Sequence, residues 1–364
     1  MAFEDDVWEA IRPPFRPKYK PDSNVHFVEG FGRDGGFGAH RLSAESARAH
    51  LARLVRRTPE VLVKVTGRPK GRGHTIAHLA YISRHGKLGV ETRDGELLTS
   101  KEEIAERASE WSDDAAWRKT ASVSCVSMVF SMPAGTNAES VLGAVRALAY
   151  RELGDNHDYV MALHTDTDRP HVHLAIEAQG DDRRRFNPGR EELHRFREQF
   201  AIELRKRGIE ASATPRRARG VGRSGSSMAL RQIRDRHVIG SGVPARDDIR
   251  AAQHSVAVIR GQASHPAFVA KAKERWASIS EAYMRAVAAL ERTGANSDRD
   301  LAGSLEAFVT RRPAPEMMPE ILVWAYERQM AEMGEGANLG IDVDTNDKGR
   351  EVSDPPKTPP TRGR

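Results

Sequence analysis

The sequence predicts an α+β domain, an antiparallel central sheet flanked by helices, followed by an α-helical C-terminal module. Three observations predict it. From residue 61, short β-branched runs alternate with amphipathic stretches. Two runs, Asp158 to His164 and His171 to Ala178, are separated by six residues and read as a hairpin. Beyond residue 224 the strand signals stop while helical periodicity continues. At 364 residues, 39% apolar and 30% charged, the chain can build one large or two modest cores and is too apolar to be disordered throughout.

Residues 1–42 are rich in Gly, Pro and Asp around one apolar run, Val25 to Val28, so residues 1–60 read as an N-terminal extension. Gly30, Gly32 and Gly35 there spell G-x-G-x-x-G. The next helical pattern starts only near Ser43, leaving no helix N-terminus to meet a pyrophosphate, which sets nucleotide binding aside. The α+β domain, residues 61–222, opens with the strand VLVKVT. A helix is expected around Ile76 to Arg84, with His74, His78, Tyr81 and His85 on one face and Ile76, Leu79 and Ala80 on another. Ser100 opens a capping box, S-K-E-E, for a helix to about Trp117, and Ala121 to Ser131 alternates as a strand that stops at Pro133 and Gly135. Thr136, paired with Glu139, is expected to cap the following helix, which carries Val141, Val145 and Leu148. After the hairpin, Leu193, Phe196, Phe200 and Leu204 line one face of a helix ending at Gly208. Residues 223–333 form the helical module. Its longest helix carries a seam of Phe268, Ala272, Trp276, Ile279, Tyr283, Val287 and Leu290, with two shorter helical patterns behind it. Residues 334–364 are expected to be a disordered basic tail.

His164, His171 and His173 fall within ten residues. On the second hairpin strand Val172, Leu174 and Ile176 point one way, so His171 and His173 point the other, opposite the apolar core, and His164 converges from across the turn. Three neutral imidazoles on strands can seat a divalent cation with positions left for a substrate oxygen. The single cysteine, Cys125, excludes a disulfide framework and a Cys-rich zinc module, as in a reducing compartment, so a metal must use His and carboxylates. Asp166 and Asp168 lie in the turn; either can accept the outer N–H of an imidazole or act as a base. Among six tyrosines Tyr81 stands on the polar, His-bearing face, whereas Tyr150, Tyr159 and Tyr283 fall in apolar periodic positions or beside them and read as core or boundary residues.

The net charge is 57 − 51 = +6, too small a surplus to name a partner. Between Arg183 and Arg223, thirteen Lys or Arg oppose five Glu, and 13 − 5 = +8 exceeds the whole chain's surplus. That block, with Arg183, Arg185, Arg216, Arg217 and Arg219, suits a phosphate backbone, and Phe186 can stack a base or belong to the core. No stretch approaches the roughly 20 apolar residues that span a bilayer, and the N-terminus is acidic, so the chain is expected to be cytoplasmic.

The string HTDTDRPHVH, preceded by HLAYISRHG and SMPAGT and followed by GIEASATPRRARG, resembles the relaxase or mobilisation nuclease family. Within it the match is to the single-tyrosine, MOBP-like group that includes the T-DNA border endonuclease, in the His-hydrophobe-His endonuclease superfamily. The resemblance covers about residues 61–222. It implies a relaxase-type fold, His164, His171 and His173 as ligands of a divalent metal, Mg2+ or Mn2+, and Tyr81 as nucleophile. Ser131 to Thr136 would grip DNA beside the nick, and His78 and Arg84, flanking the tyrosine, count with the DNA-binding residues. The implied activity is site- and strand-specific nicking and rejoining at a transfer origin through a 5′-phosphotyrosine link. A free phenol titrates near about 10, so the attack needs help from the cation with Asp166, Asp168 or His78. Implied partners are single-stranded DNA at the origin, relaxosome accessory proteins and a type IV secretion coupling protein, with no membrane insertion and with passage to the recipient cell alongside the DNA. No P-loop motif is present, so strand separation is left to partners. The family's tyrosine commonly lies nearer the chain start than here. A rolling-circle replication initiator, a transposase, a non-catalytic DNA-binding accessory protein and a small-molecule metal hydrolase are the competing readings.

Overall fold

The computed structural model describes residues 3–11, 44–113, 123–216, 218–220, 228–264 and 266–312. The Gly30, Gly32 and Gly35 pattern, the Val25 to Val28 run, Arg217, the last short helical pattern and the 334–364 tail lie outside them. In chain order the elements are α1 (Phe3–Ile11), α2 (Ala44–Val55), β1 (Leu62–Gly67), α3 (Gly71–Ile82), β2 (Val90–Thr92), β3 (Leu97–Leu98), α4 (Lys101–Asp113) and β4 (Cys125–Ser131). They continue with α5 (Ala138–Leu153), β5 (Tyr159–His164), β6 (His171–Glu177), α6 (Arg190–Lys206), α7 (Met228–Val238), α8 (Arg246–Ile259), α9 (Ala267–Thr293) and α10 (Asn296–Arg311). The described residues fall into two compact units, 3–11, 44–113, 123–216, 218–220 and 266–312 in the first and 228–264 in the second.

In the first unit the six strands form one sheet in the order β1-β4-β6-β5-β2-β3, every neighbouring pair antiparallel. The strands β2 and β3, three and two residues long, were not expected from the sequence: they are too short to display a period. One face carries Val63, Met128, Phe130, Tyr159, Met161, Val172, Leu174 and Ile176 against α5 and α6, whose Val141, Val145, Leu148, Phe196, Phe200 and Leu204 are all buried. Phe186 belongs to this core at 4% exposure, so it is not a base-stacking surface.

The other face corrects an expectation. The imidazole-bearing side is not simply opposite the core, because Cys125, Val160 and Ala175 pack there against Leu79 and Ile82 of α3 and Ile104, Ala108 and Trp111 of α4. The sheet is covered on both faces, which explains why β4 reads as a nearly continuous apolar run. Arg107 and Trp111 Nε1 fix α4 by donating to Asp158 at 2.9 and 2.7 Å. The Ser100 capping box forms, with Glu103 N–H on Ser100 Oγ and Ser100 N–H on Glu103. The next cap shifts by one residue from the expected Thr136: Asn137 Oδ1 accepts from Ser140 N–H at 2.8 Å, while the Thr136 hydroxyl donates to the Pro133 carbonyl inside the turn. Helix α3 stops at Ile82, and Arg84, His85 and Gly86 turn away in left-handed conformations, φ 51°, 58° and 79°, so His85 does not extend the polar face.

A second core in this unit joins chain segments far apart in sequence. Val7, Leu51 and Leu54 of α1 and α2 pack with Ile279, Tyr283, Val287, Leu290 and Leu305 of α9 and α10. Ion pairs Arg48–Asp298 and Arg285–Asp6, at 2.8 and 2.7 Å, tie the same helices. The seam on α9 is buried from Ile279 onward, but Phe268 is 55% exposed and Val269 is buried in its place. In the second unit Arg234 of α7 donates to the Asp248 carboxylate of α8. Among the described residues no helix is long and apolar enough to cross a membrane.

Glu203 of α6 shows how the basic block is partly neutralised internally. It is 4% exposed and accepts from Arg151, Lys206 and Arg207 at 2.8, 2.8 and 3.0 Å. Burial raises its carboxyl, but the three hydrogen bonds outweigh that and hold it down to about 2. A carboxyl depressed on folding stabilises the native state above its ordinary value near 4.5, and this is lost as pH falls from there through about 2. Glu203→Gln is therefore expected to lower neutral-pH stability by about 1–2 kcal/mol, less than the full shift because water screens the partners' exposed ends, and to flatten the acid limb of the stability profile, both read by denaturant unfolding across pH.

Candidate functional site

The register of the sheet assembles the site. Ser131, His171 and His164 stand in one row across β4, β6 and β5, and Val129, His173 and Ala162 form the next row. Directly opposed residues share a face, so the three imidazoles converge. Their ring centroids lie 4.5 Å (His164–His173), 5.2 Å (His164–His171) and 5.3 Å (His171–His173) apart, and one nitrogen from each lies within 4.8 Å of the others. His164 is 4% and His173 9% exposed, while His171 is half-buried at the rim.

Backbone carbonyls set the tautomers of two rings. His164 Nε2–H donates to Ile82 O at 2.7 Å, leaving Nδ1 with its lone pair. His171 Nδ1–H donates to Arg169 O at 3.0 Å, leaving Nε2. His173 Nδ1 is buried with no hydrogen-bond partner among the described residues. Burial, then the neighbouring His164, His171 and His78, push His173 down to about 3, and burial first also lowers His164. Both rings are neutral, a set of nitrogen donors that fits a divalent cation, with two rings oriented from behind by carbonyls.

Ile82 is the last residue of α3, so its carbonyl is one of the four that a helix end leaves unpaired. The His164 contact docks that helix end on the sheet and brings the preceding residue to the imidazoles. Tyr81 is 65% exposed, and its ring lies 6.2 Å from that of His173, edge to face at 88°. His78, one turn earlier, is half-buried; its Nε2 is buried without a partner among the described residues, and burial lowers its basicity. Arg84 reaches Asp166 at 2.6 Å, and its guanidinium holds that carboxyl below the usual carboxylate range. Asp168 is exposed in the same turn.

Ser131 adjoins His171, and Met132 N–H donates to Pro170 O at 3.2 Å, so the SMPAGT turn with Thr136 is tied to the 165–170 turn. The basic residues divide. Arg216 and Arg219 lie 3.9 and 3.8 Å from Glu60, beside the end of β1 that pairs with Ser131. Arg185 donates to Val123 O, beyond the opposite end of β4, and the exposed Arg183 sits in the turn just before it. The length of β6 separates that end from His171, about 20 Å at 3.3 Å per residue, so Arg183 and Arg185 are not brought to the imidazoles. The carbonyls of Ile82 and Arg169 escaped the sequence reading, since backbone acceptors carry no residue-type signal. Tyr150 is 70% exposed rather than a core or boundary residue, whereas Tyr159 and Tyr283 are buried.

Residues 81–209 match the relaxase family model described as MobA/VirD2-like, nuclease domain. Among solved structures, one described as "Molecular Basis of Vancomycin Resistance Transfer in Staphylococcus aureus" is similar at 13% identity and a TM-score of 0.31. The match covers 43% of this chain and 98% of that one. The search of curated proteins returns no match.

Proposed function

Given a MobA/VirD2-like relaxase nuclease domain over residues 81–209, we propose that this chain nicks and rejoins one DNA strand at a plasmid or mobile-element transfer origin. Tyr81 is the nucleophile, and His164, His171 and His173 hold a divalent cation, Mg2+ or Mn2+. The observation that carries the reading is the exposed Tyr81 ring 6.2 Å from His173, at the edge of three converging imidazoles. A cation on those nitrogens supplies charge neutralisation at a nonbridging phosphate oxygen.

The Tyr81 oxygen attacks phosphorus; the new oxygen–phosphorus bond replaces the bond to the 3′-oxygen, which departs and takes up a proton. The strand's 5′ end remains esterified to Tyr81. One phosphodiester replaces another, so the reaction runs backward when a 3′-hydroxyl attacks the phosphotyrosine. Asp166, already held ionised by Arg84, is a weak base, and its part is to keep Arg84 beside the nucleophile for the DNA phosphate. Asp168 or His78 receives the phenol proton. Ser131 and Thr136 border the rim next to His171, where the DNA backbone would pass, with Arg216 and Arg219 beyond. Relaxosome accessory proteins and a type IV secretion coupling protein are the partners that this activity calls for.

The test is to incubate the protein with supercoiled plasmid carrying candidate origins and Mg2+ or Mn2+, quench with detergent, digest and identify the DNA-linked peptide by mass spectrometry. The expected result is one nick on one strand and a nucleotide adduct on Tyr81. Cation-dependent cleavage leaving no protein–DNA adduct would sink the reading, and a replication origin as the cognate site would redirect it to an initiator.

A further inference from the structure

The face of the sheet away from the imidazoles holds a cleft that this chemistry does not use. It is a solvent-open depression of about 370 Å³ between α5, the turn from β2 to β3, and the start of β5. That volume is in the range of small-ligand sites. Tyr159 and Glu91 line it. Glu91 pairs with Met161 and Tyr159 lies two residues before Met161, so both share that residue's face, whereas His164 has the opposite parity.

Tyr159 packs its ring in the sheet core and also borders the cleft, so a residue only 2% exposed forms part of its wall. Burial first, and then Glu91, push this phenol up to about 12, so it stays a proton donor. Beside it the Arg146 guanidinium grips Glu91 through two hydrogen bonds of 2.5 and 2.7 Å, leaving the arginine side chain 51% exposed. Tyr150, one turn along α5 from Arg146, presents a 70% exposed ring to the same cleft.

We propose that this cleft binds one nucleotide of the single-stranded DNA outside the nick, its base stacked on Tyr150 and its edge bonded by Tyr159 and the Arg146–Glu91 pair. Adjacent donors and a carboxylate acceptor match the mixed edge of a base, and Arg93 and Arg207 on the same wall suit the phosphate that a nucleotide carries. An aromatic wall takes any base by its π-face. The site rests on the DNA-nicking reading for its source of nucleotides, and its position on the far face means that it affects affinity rather than the chemical step.

The test uses the full chain and its Tyr150→Ala and Tyr159→Phe variants. Their affinity for a fluorescein-labelled mixed-sequence single-stranded 30-mer is read by anisotropy, and their nicking is read at saturating DNA. The expected result is about tenfold weaker binding for Tyr150→Ala and a smaller loss for Tyr159→Phe, with unchanged unfolding midpoints and saturated nicking rates. Titration with the four deoxynucleoside monophosphates, followed by NMR, is expected to shift signals of the cleft residues. If Tyr81 adducts form but neither variant changes affinity by more than about twofold and no cleft signal shifts, the cleft proposal is overturned while nicking stands. If cleft signals shift in a Tyr150-dependent way and no adduct ever forms, the cleft stands and the nicking reading fails.

Discussion

Tyr81→Phe is expected to abolish covalent capture of DNA, a loss of at least about 10^4-fold in adduct formation, while binding of single-stranded DNA is retained. The substitution removes one oxygen from a side chain that is 65% exposed at the end of α3. The ring remains to make its edge contact with His173, and Leu79 and Ile82 still anchor the helix in its core. Stability should therefore stay within about 0.5 kcal/mol, as for other surface changes. A radiolabelled oligonucleotide spanning the nick, run on a denaturing gel, separates the outcomes. A phenylalanine variant that still forms more than about one hundredth of the wild-type adduct would remove Tyr81 from the nucleophile's role.

His173→Ala should weaken cation binding by more than about 100-fold and reduce nicking at least as much. Disturbing only an outer partner of a ligand already costs 10- to 100-fold. The ring is one corner of a nearly even triangle, 4.5 Å from His164 and 5.3 Å from His171, and its own Nδ1 has no protein partner among the described residues to compensate for what a cation would supply. Calorimetric titration with Mn2+ reads the affinity directly, and activity removed by a chelator should return with Mn2+ or Mg2+. His171→Ala, at the rim, provides a variant with a smaller packing change if the buried substitution perturbs folding. Unaltered Mn2+ affinity in both folded variants would show that the imidazoles are not the ligands.

Local patterns in the chain carried the hairpin, since two runs that alternate and flank a six-residue turn have few other ways to fold. The amphipathic stripe of α6 and the Ser100 box were readable for the same reason. The short strands β2 and β3 were not, because two or three residues contain no period. Asn137 beat Thr136 to the cap through a one-residue difference in where the Pro133 turn ends, which depends on backbone geometry rather than composition. The joint packing of α1 and α2 with α9 and α10 links residues some 250 positions apart, as Arg48–Asp298 does, and no short-range signal reports it.

From the residues alone came the placement of His171 and His173 on one side of a strand and of Tyr81 on the polar side of a short helix. Both follow from fixed side-chain periods of two and 3.6 that every strand and helix obeys. Bringing that helix to those imidazoles was decided by packing. Leu79, Ile82, Trp111, Val160 and Ala175, drawn from about a hundred residues of chain, bury a small core on the imidazole-bearing face that seats α3 against the sheet, and the Ile82 carbonyl then meets His164. Burial of dispersed apolar surface is collective, so it acquires a direction only when the whole domain has folded.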